Sequence, residues 1–229
     1  MTSALWRLWY WLKFQLWQRR RFNRLILEEI AGRPFLILPE VFNPTLFFSS
    51  EFMVSSLNET LIPPGSTVLD MGSGSGVGAV FAARWATHVV ATDINPAAVR
   101  CARINVLLNE VEGRVDVREG DLFEPVAGLT FDVVLFNPPY YRGQPHSVLD
   151  RAFHASDVVE RFATALPGYL RQGGCAFMVL SSSGDEAAFL RVFEEQGFAV
   201  EATARKELRL ERLTLYRLNG SAITRNAPN

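Results

Sequence analysis

From about residue 65 onward, short apolar runs alternate with helix-like stretches, and this alternation constrains the fold more than any other feature. Five runs have the length and content of buried strands: Thr67–Met71, His88–Asp93, Val115–Val117, Phe131–Asn137 and Cys175–Ser181. The helix-like stretches cover residues 77–86, 96–109, 156–171 and 185–196. Such alternation is typical of βαβ units, so the sequence predicts an α/β fold with a parallel sheet and helices on both faces.

The end of the chain departs from this alternation. Phe198–Thr203 and Leu213–Leu218 follow one another with no helix between them. Because a parallel pair needs a long crossover connection, we expect these two strands to pair antiparallel at one edge of the sheet. The polar tail, residues 221–229, is predicted to be flexible.

The composition is that of an ordinary globular protein with one large domain. The 229 residues are 48% hydrophobic and 21% charged, which excludes wholesale disorder and collagen-like or coiled-coil structure. A formal net charge of −1 lacks the basic excess of a dedicated nucleic-acid binder. Cys101 and Cys175 stand far apart and match no zinc-binding spacing. We therefore expect a reduced, cytoplasmic protein without a disulfide framework or a metal.

The N-terminal residues differ from the rest in charge and in aromatic content. Residues 1–33 hold seven basic and two acidic residues, a net charge of +5, and four of the five tryptophans. Leucines recur there at helical spacing, at Leu5, Leu8, Leu12 and Leu16. This pattern predicts an amphipathic helix that ends near Gly32 and Pro34. Basic residues interrupt the apolar run too early for a membrane span.

We therefore expect three parts in the chain. A basic, tryptophan-rich helical extension covers residues 1–40, the main domain covers residues 41–220, and the tail covers residues 221–229. Three interpretations of the extension remain open. It docks a protein substrate, it lies in a membrane interface, where Trp with Lys and Arg is typical of amphipathic helices, or it is a lid over one edge of the main domain.

A glycine-rich loop follows the first strand of the predicted sheet. Asp70 precedes Gly72, Gly74 and Gly76, and the loop opens a helix. Glycines allow a sharp turn and the close approach of a ligand, and the helix N-terminus offers free N–H groups. Asp93 ends the next strand, where a carboxylate can bind both hydroxyls of a ribose. The pattern favours an adenosine-containing ligand, although nicotinamide enzymes use similar loops and a plain strand–helix turn is the structural alternative.

Two further features favour S-adenosylmethionine over a nicotinamide cofactor. The Asp70 carboxylate, at the mouth of the loop, would repel a pyrophosphate but attract an ammonium and a sulfonium charge. Asp121-Leu122-Phe123 follows the third strand, where the acid can bind the adenine amino group and an apolar side chain can contact the ring. Ile94, which follows the second strand, is a further predicted cofactor contact.

The most specific motif is Asn137-Pro138-Pro139-Tyr140, at the end of the fourth strand. The two prolines end the strand and leave the Pro138 carbonyl outside the ladder of backbone hydrogen bonds. That carbonyl and the Asn137 side-chain oxygen can accept both hydrogens of one planar –NH2 group, and Tyr140 offers a flat face for stacking. We predict that these four residues direct a nitrogen towards a methyl group; a strand-ending turn with a core tyrosine is the alternative.

With these motifs, the sequence resembles the class I S-adenosylmethionine-dependent methyltransferases, and more narrowly their Asn-Pro-Pro-Tyr group. It looks most like the release-factor glutamine-N5 methyltransferases, which residues 170–174 and Glu211-Arg212-Leu213 also resemble. The resemblance covers residues 41–218. It implies a Rossmann-like, mostly parallel sheet of seven strands that ends in an antiparallel hairpin.

The resemblance also implies a cofactor, a site and a substrate. S-adenosylmethionine would contact Asp70, Gly72, Gly74, Gly76, Asp93, Asp121 and Asn137. Asn137-Pro138-Pro139-Tyr140 would bind the substrate nitrogen, and the methyl group would pass directly, without a metal. The expected acceptor is a glutamine side chain in a protein such as a release factor or a ribosomal protein. An amino group of a nucleobase in RNA or DNA, a small molecule, and a non-catalytic S-adenosylmethionine-binding role are the alternatives.

Two features bear on these alternatives. The family carries, upstream of the glycine loop, a proline closely followed by an acid and a Thr or Ser. Here Pro44 is followed by Thr45, Ser49, Ser50 and Glu51, so the acid is absent or displaced and we expect an altered grip on cofactor or substrate. Basic residues near the end of the chain would suit a phosphate backbone or merely a solvated sheet edge: Arg205, Lys206, Arg209, Arg212 and Arg217.

Overall fold

The computed structural model describes residues 24–46, 48–138, 157–209 and 211–220. Within these ranges the strands are β1 (Ile26–Ile30), β2 (Arg33–Ile37), β3 (Thr67–Met71), β4 (His88–Asp93), β5 (Val115–Glu119), β6 (Phe131–Phe136), β7 (Leu170–Ser181), β8 (Ala199–Glu207) and β9 (Arg212–Asn219). The α-helices are α1 (Ser49–Ser56), α2 (Val77–Ala82), α3 (Pro96–Leu108), α4 (Val158–Ala165) and α5 (Glu186–Glu195).

Seven strands form one mixed sheet in the order β5-β4-β3-β6-β7-β9-β8. The strands from β3 to β7 are parallel, and β9 lies antiparallel between β7 and β8. This confirms the predicted Rossmann-like sheet and its C-terminal antiparallel pair. Because β4 and β5 lie on one side of β3 and β6 lies on the other, the strand order reverses between β3 and β6. Ligands of open α/β sheets bind at the carboxyl edge at such a reversal.

Helices cover both faces of the sheet, as predicted. The β1–β2 hairpin and α1 to α3 form one apolar core with one face, and α4 and α5 form a second core with the other. In the second core the fully buried Phe162 of α4 stacks on Phe136, with 4.2 Å between ring centroids. This contact holds the end of β6, next to the Asn-Pro-Pro-Tyr motif, against a packed helix.

The predicted helical extension is wrong for the part of residues 1–40 that the structure describes. Residues 26–37 form the antiparallel β1–β2 hairpin instead. Ala31 and Gly32 have φ angles of 46° and 78°, as a two-residue type I′ turn requires. Burial rather than residue type alternates along the two strands, and one side of the hairpin is buried through Ile30, Phe35 and Ile37. Residues 1–23, with the tryptophans and the helical leucine pattern, lie outside the described residues, as does the tail 221–229.

Several other boundaries differ from the prediction. The helix expected over residues 156–171 ends at Ala165, where a 3-10 turn over Leu166–Gly168 leads into β7. Pro167 and Gly168 explain this early end, because neither residue favours a helix interior. Helix α2 ends at Ala82 rather than at residue 86, and α1 was not predicted.

The part of the chain that the structure describes contains no cluster of three or more His, Cys, Asp or Glu that could hold a metal ion. None of its helices is both long enough and apolar enough to cross a membrane. The two cysteines are buried and form no disulfide. Burial raises the pKa of the Cys101 thiol to about 11, and the neutral thiol donates a hydrogen bond to the Leu36 carbonyl at 3.1 Å.

Candidate active site

The glycine-rich loop and the Asn-Pro-Pro-Tyr motif begin side by side at the carboxyl edge of the sheet. Met71, the last residue of β3, pairs with Phe136, the last residue of β6. Gly72 and Asn137, the residues that follow, therefore leave neighbouring strands at the same level. This point is also the reversal in strand order, so two motifs that are 65 residues apart in sequence meet where the fold accommodates a ligand.

Asp70 lies beneath the loop rather than at its open side. Its side chain is buried, and one carboxylate oxygen accepts a hydrogen bond from the Ala79 backbone N–H at 2.8 Å. A Cβ at Gly78 would lie 2.5 Å from the other oxygen, so only glycine fits at this point of α2. Burial raises the pKa of the Asp70 carboxyl from 3.8 to about 7; the Ala79 hydrogen bond opposes this shift and the nearby Asp93 charge adds to it.

Asp93 connects the end of β4 to the glycine loop. Its carboxylate accepts hydrogen bonds from the backbone N–H groups of Gly74, at 2.8 Å, and of Asn95, at 2.9 Å. Burial raises the pKa of this carboxyl, and the same backbone donors oppose the shift. Each oxygen retains a second lone pair, so the carboxylate can fix the loop and still accept a hydrogen bond from a ligand hydroxyl.

Space and chemistry around the loop fit an adenosine-containing ligand. A Cβ at Gly74 would meet nothing within 4 Å, and both Gly72 and Gly74 have positive φ angles, of 65° and 55°. Ile94, beside Asp93, leaves 48% of its surface exposed, so an apolar contact is available next to the carboxylate. The buried Ser73 hydroxyl oxygen has no hydrogen-bond partner among the described residues. The loop backbone, the Asp93 carboxylate and the exposed Ile94 side chain thus offer a cradle, an acceptor and an apolar face close together in the fold.

In the Asp121-Leu122-Phe123 segment, Phe123 lies in the core, and Asp121 and Leu122 lie nearer the surface. Phe123 is buried and stacks on Tyr169, with 4.3 Å between ring centroids, so it belongs to the apolar core. Leu122 is half-buried and has a φ angle of 45°, which leaves it as the apolar candidate of the pair. Asp121 accepts a hydrogen bond of 2.5 Å from Arg161 of α4. This hydrogen bond raises the pKa of the Arg161 guanidinium.

Asn137 is half-buried, and its side-chain nitrogen points towards helix α1. The Nδ2 atom donates hydrogen bonds to the hydroxyl oxygens of Ser49, at 3.2 Å, and of Ser50, at 3.1 Å. Pro138, the next residue, is buried. Pro139 and Tyr140, the other half of the motif, lie outside the described residues, so their predicted roles stay predictions.

Sequence reasoning missed three features of this site. The close approach of Gly78 to Asp70 and the Arg161–Asp121 pair both join segments that are separate in sequence. The third is Asn105 of α3, which binds the glycine loop through the Ser75 carbonyl at 2.9 Å and is fully buried. Of the three, only the Asn105 contact had a signal in the sequence. Asn105 lies on the apolar face of a helix, and a buried amide needs hydrogen-bond partners.

The fold and this arrangement of loop, acids and Asn137 define a class of protein. They are those of a Rossmann-like S-adenosylmethionine-dependent methyltransferase, an enzyme of EC class 2.1.1. Residues 34–206 match the family model described as the methyltransferase small domain, so the chain belongs to this family.

Named relatives include enzymes that act on proteins. One from Methanocaldococcus jannaschii, provisionally named a protein N5-glutamine methyltransferase, is 34% identical over 197 residues, which are 82% of this chain and 96% of the relative. The release factor glutamine methyltransferase of Geobacter sulfurreducens is 31% identical over 202 residues, 81% of this chain and 69% of the relative. Others are named for the methylation of ribosomal proteins or ribosomal RNA.

A solved structure gives the same fold. The T. thermophilus 16S rRNA guanine-N2 methyltransferase, in complex with S-adenosylmethionine and guanosine, superposes with a TM-score of 0.66 at 23% identity. The match covers 86% of this chain and 50% of the T. thermophilus chain, so the present chain spans half the length of that enzyme.

Proposed function

We propose that this protein transfers the methyl group of S-adenosylmethionine to a planar –NH2 group, the side-chain N5 of a glutamine in a protein such as a translation release factor. The position of Asn137 carries the proposal. It leaves β6 level with the glycine loop on β3, so an amide acceptor adjoins the region that fits the cofactor. Asp93, Ile94, Leu122 and the loop glycines would hold the cofactor, and Asn137 with Pro138 would hold the nitrogen.

The residues of this site would act by orientation and by hydrogen bonding. S-adenosylmethionine supplies a methyl group on a sulfonium, which is already a strong electrophile. Asn137 Oδ1 and the Pro138 carbonyl would accept the two hydrogens of the –NH2 group and hold its nitrogen about 3–3.5 Å from the methyl carbon. As the nitrogen attacks, the methyl–sulfur bond would break, the demethylated cofactor would leave as a neutral thioether, and one of these hydrogens, which become more acidic, would be lost to water as a proton. The two acceptors therefore bind the transition state more strongly than the ground state, which is the condition for catalysis.

Two observations favour a protein glutamine over a nucleobase. The relatives from M. jannaschii and G. sulfurreducens, each matched over about four-fifths of this chain, are both named for glutamine methylation. The five basic residues near the end of the chain also do not form one free surface. Arg212 pairs with Glu186 at 3.2 Å, and the Arg217 guanidinium lies 6.0 Å from the Phe177 ring centroid. Because translation factors are cytoplasmic, we place the reaction in the cytoplasm.

Transfer of labelled methyl groups to purified acceptors tests the proposal. The protein is incubated with methyl-tritiated S-adenosylmethionine and either a release factor or total RNA from the same organism. We expect label in the release factor, on a glutamine that peptide mass spectrometry locates. A release factor with that glutamine changed to glutamate, which lacks the –NH2 group, should take up no label. The Asn137→Ala enzyme is the matched catalytic control.

Label in the RNA and none in the protein would contradict the proposal. It would favour methylation of a nucleobase amino group, the chemistry named for the T. thermophilus rRNA enzyme.

A further inference from the structure

The hydrogen bonds of Asn137 connect the motif to helix α1. Nδ2 has two hydrogens, and it donates to the hydroxyl oxygens of two consecutive residues, Ser49 and Ser50, at 3.2 and 3.1 Å. Ser49 is fully buried, so at least one of these contacts is shielded from water. Phe48, which precedes them, has a left-handed φ angle of 48° at the start of α1. Non-glycine residues rarely adopt this conformation, and it sets the direction in which the first turn leaves the loop.

The two ends of an asparagine amide have almost the same shape but opposite hydrogen-bonding character. The oxygen accepts hydrogen bonds, whereas the nitrogen donates two. A rotation of the Asn137 amide by half a turn would present N–H groups to the substrate –NH2. Two donors would then face each other, and the acceptor on which the proposed chemistry depends would be lost. Asparagine therefore needs neighbours that select one orientation.

We propose that Ser49 and Ser50 are positioning residues that bind the Asn137 Nδ2 hydrogens and so turn Oδ1 towards the methyl acceptor. The inference rests on the proposed role of Asn137 in methyl transfer. It also gives a function to the hydroxyl residues after Pro44. At this point the methyltransferases that the chain resembles carry an acid, which is absent or displaced here. The serines would contact neither the methyl group nor the nitrogen.

Solvent exchange of the Asn137 side-chain amide tests the contact without any methyl acceptor. In a nitrogen-15 spectrum of the cofactor-bound protein, the Nδ2 resonance is assigned by its loss in Asn137→Asp. A serine hydroxyl could instead donate a hydrogen bond to Asn137 Oδ1. The measurement therefore follows the Nδ2 hydrogens, which are protected only if the serines accept from them. We expect them to exchange slowly in the native protein and at least about 10-fold faster in the Ser49→Ala/Ser50→Ala variant.

A matched control lies on the same helix. Ser55 is exposed, and Ser56 donates a hydrogen bond to the Phe52 carbonyl at 2.8 Å, so neither faces Asn137. Ser55→Ala/Ser56→Ala should leave the exchange of the Asn137 amide unchanged. Equal exchange in the native protein and in the Ser49→Ala/Ser50→Ala variant would overturn the inference.

Methyl-transfer activity, measured in the native enzyme and in Asn137→Asp, shows whether the two serines position Asn137 or only stabilise the fold. In the native background, Ser49→Ala/Ser50→Ala should lower kcat by at least about 10-fold and leave the affinity for S-adenosylmethionine within about 2-fold. In the Asn137→Asp background the same change should lower kcat by less than about 3-fold, since the two oxygens of a carboxylate are equivalent and no wrong orientation exists. Equal losses in both backgrounds would overturn the inference.

The outcomes also separate this inference from the proposed function. If the release factor takes up no label but the Asn137 amide is protected by the serines, the acceptor assignment fails and the positioning contact stands. If the release factor is methylated and the amide exchanges at the same rate with and without the serines, the proposed function stands and the positioning role fails. Should Asn137→Asp be inactive, amide exchange alone decides.

Discussion

Asp93 shows how one carboxylate can serve both the loop and the ligand. It accepts hydrogen bonds from Gly74 and Asn95 and lies beside the exposed Ile94. In the proposed site, both the shape of the glycine loop and the hydrogen bonding to the cofactor would therefore depend on this side chain. Charge-assisted hydrogen bonds of this kind contribute about 1.5–3 kcal/mol each.

We expect Asp93→Ala to weaken the binding of S-adenosylmethionine by at least about 10-fold in isothermal calorimetry, because it removes an acceptor and releases the loop. Asp116→Ala is the matched control, since Asp116 is a partly exposed carboxylate of β5 that pairs with Arg118 at 2.7 Å. This control should bind as the native protein does. Native affinity in Asp93→Ala would show that the carboxylate has no part in the site.

Asp70 predicts a pH dependence of stability in the ligand-free protein. Its carboxyl has a pKa of about 7 when folded and an ordinary value of 3.8. Between these values the folded state holds a proton that the unfolded state releases, so the free energy of unfolding falls as pH rises. The fall levels off above pH 7 and amounts to something on the order of 4 kcal/mol.

Urea unfolding of the native protein and of Asp70→Asn at pH 5, 6, 7 and 8 checks this dependence. Asparagine can still accept the Ala79 hydrogen bond but does not ionise. The free energy of unfolding of Asp70→Asn should therefore fall less steeply between pH 5 and 7. Parallel pH profiles for the two proteins would contradict a raised pKa at Asp70.

Among the elements, the β1–β2 hairpin is bound to both helix α3 and the glycine loop by the hydrogen bonds of one buried side chain, in addition to its apolar contacts with the sheet domain. Asn105 Oδ1 accepts a hydrogen bond from the Leu36 N–H at 2.7 Å, and Nδ2 donates to the carbonyls of Leu36 and Ser75, both at 2.9 Å. The hairpin, helix α3 and the glycine loop thus meet at one amide. Its removal would leave buried backbone groups without partners.

We expect Asn105→Ala to lower the free energy of unfolding by about 2–4 kcal/mol and to weaken cofactor binding, because Ser75 belongs to the loop. Asn109→Ala is the comparison, since Asn109 is less buried and also reaches the hairpin, through the Pro34 carbonyl at 3.0 Å. It should cost less than about 1.5 kcal/mol and leave binding unchanged. Equal losses in urea unfolding would show that the hairpin does not depend on Asn105.

Element boundaries also show what the sequence reveals and what it hides. Strands β3 and β4 match the prediction residue for residue, because mostly apolar runs end there at Gly72 and at Asp93. The hairpin was missed although the Ala31-Gly32 turn was visible, because its strands Ile26–Ile30 and Arg33–Ile37 do not alternate apolar and polar residues and the helical leucine pattern before them was extended too far. Helix α1 has only eight residues, too few for a clear period.

The candidate site divides in the same way. Strand ends meet at one sheet edge, so the meeting of the glycine loop, Asp93 and Asn137 follows from topology and was predictable. The contact of Ser49 and Ser50 with Asn137 spans nearly ninety residues of sequence and depends on how α1 packs, which no local pattern encodes. The burial of Phe123 depends likewise on Tyr169 of a distant segment.

At the scale of the whole molecule, the hairpin changes how the N-terminal segment is best tested. Deletion of residues 1–33 would remove β1 and leave β2, including the buried Phe35, without its strand partner. A deletion of residues 1–23 instead keeps the hairpin intact. It removes four of the five tryptophans and five basic residues, which are the whole excess of positive charge in residues 1–33.

We expect the protein without residues 1–23 to bind S-adenosylmethionine with native affinity and to lose at least about 10-fold in methylation of the macromolecular acceptor, since that segment would dock the acceptor. Binding by calorimetry and tritium transfer check the two parts. Sedimentation with anionic vesicles separates docking from a membrane role. Strong, salt-sensitive binding that is lost with residues 1–23 would contradict docking.

The central claim is that the methyl group is transferred to an amide nitrogen of a protein, and the chemistry of the product tests this most directly. An N-methyl amide releases methylamine, a volatile base, when the amide bond is hydrolysed. A methylated nucleobase amino group stays attached to its ring. After labelling of a whole-cell extract with methyl-tritiated S-adenosylmethionine and the purified protein, we predict that hydrolysis of the protein fraction releases the tritium as methylamine, and that Asn137→Ala yields none. Tritium that remains non-volatile, or that is found in nucleosides, would contradict the account.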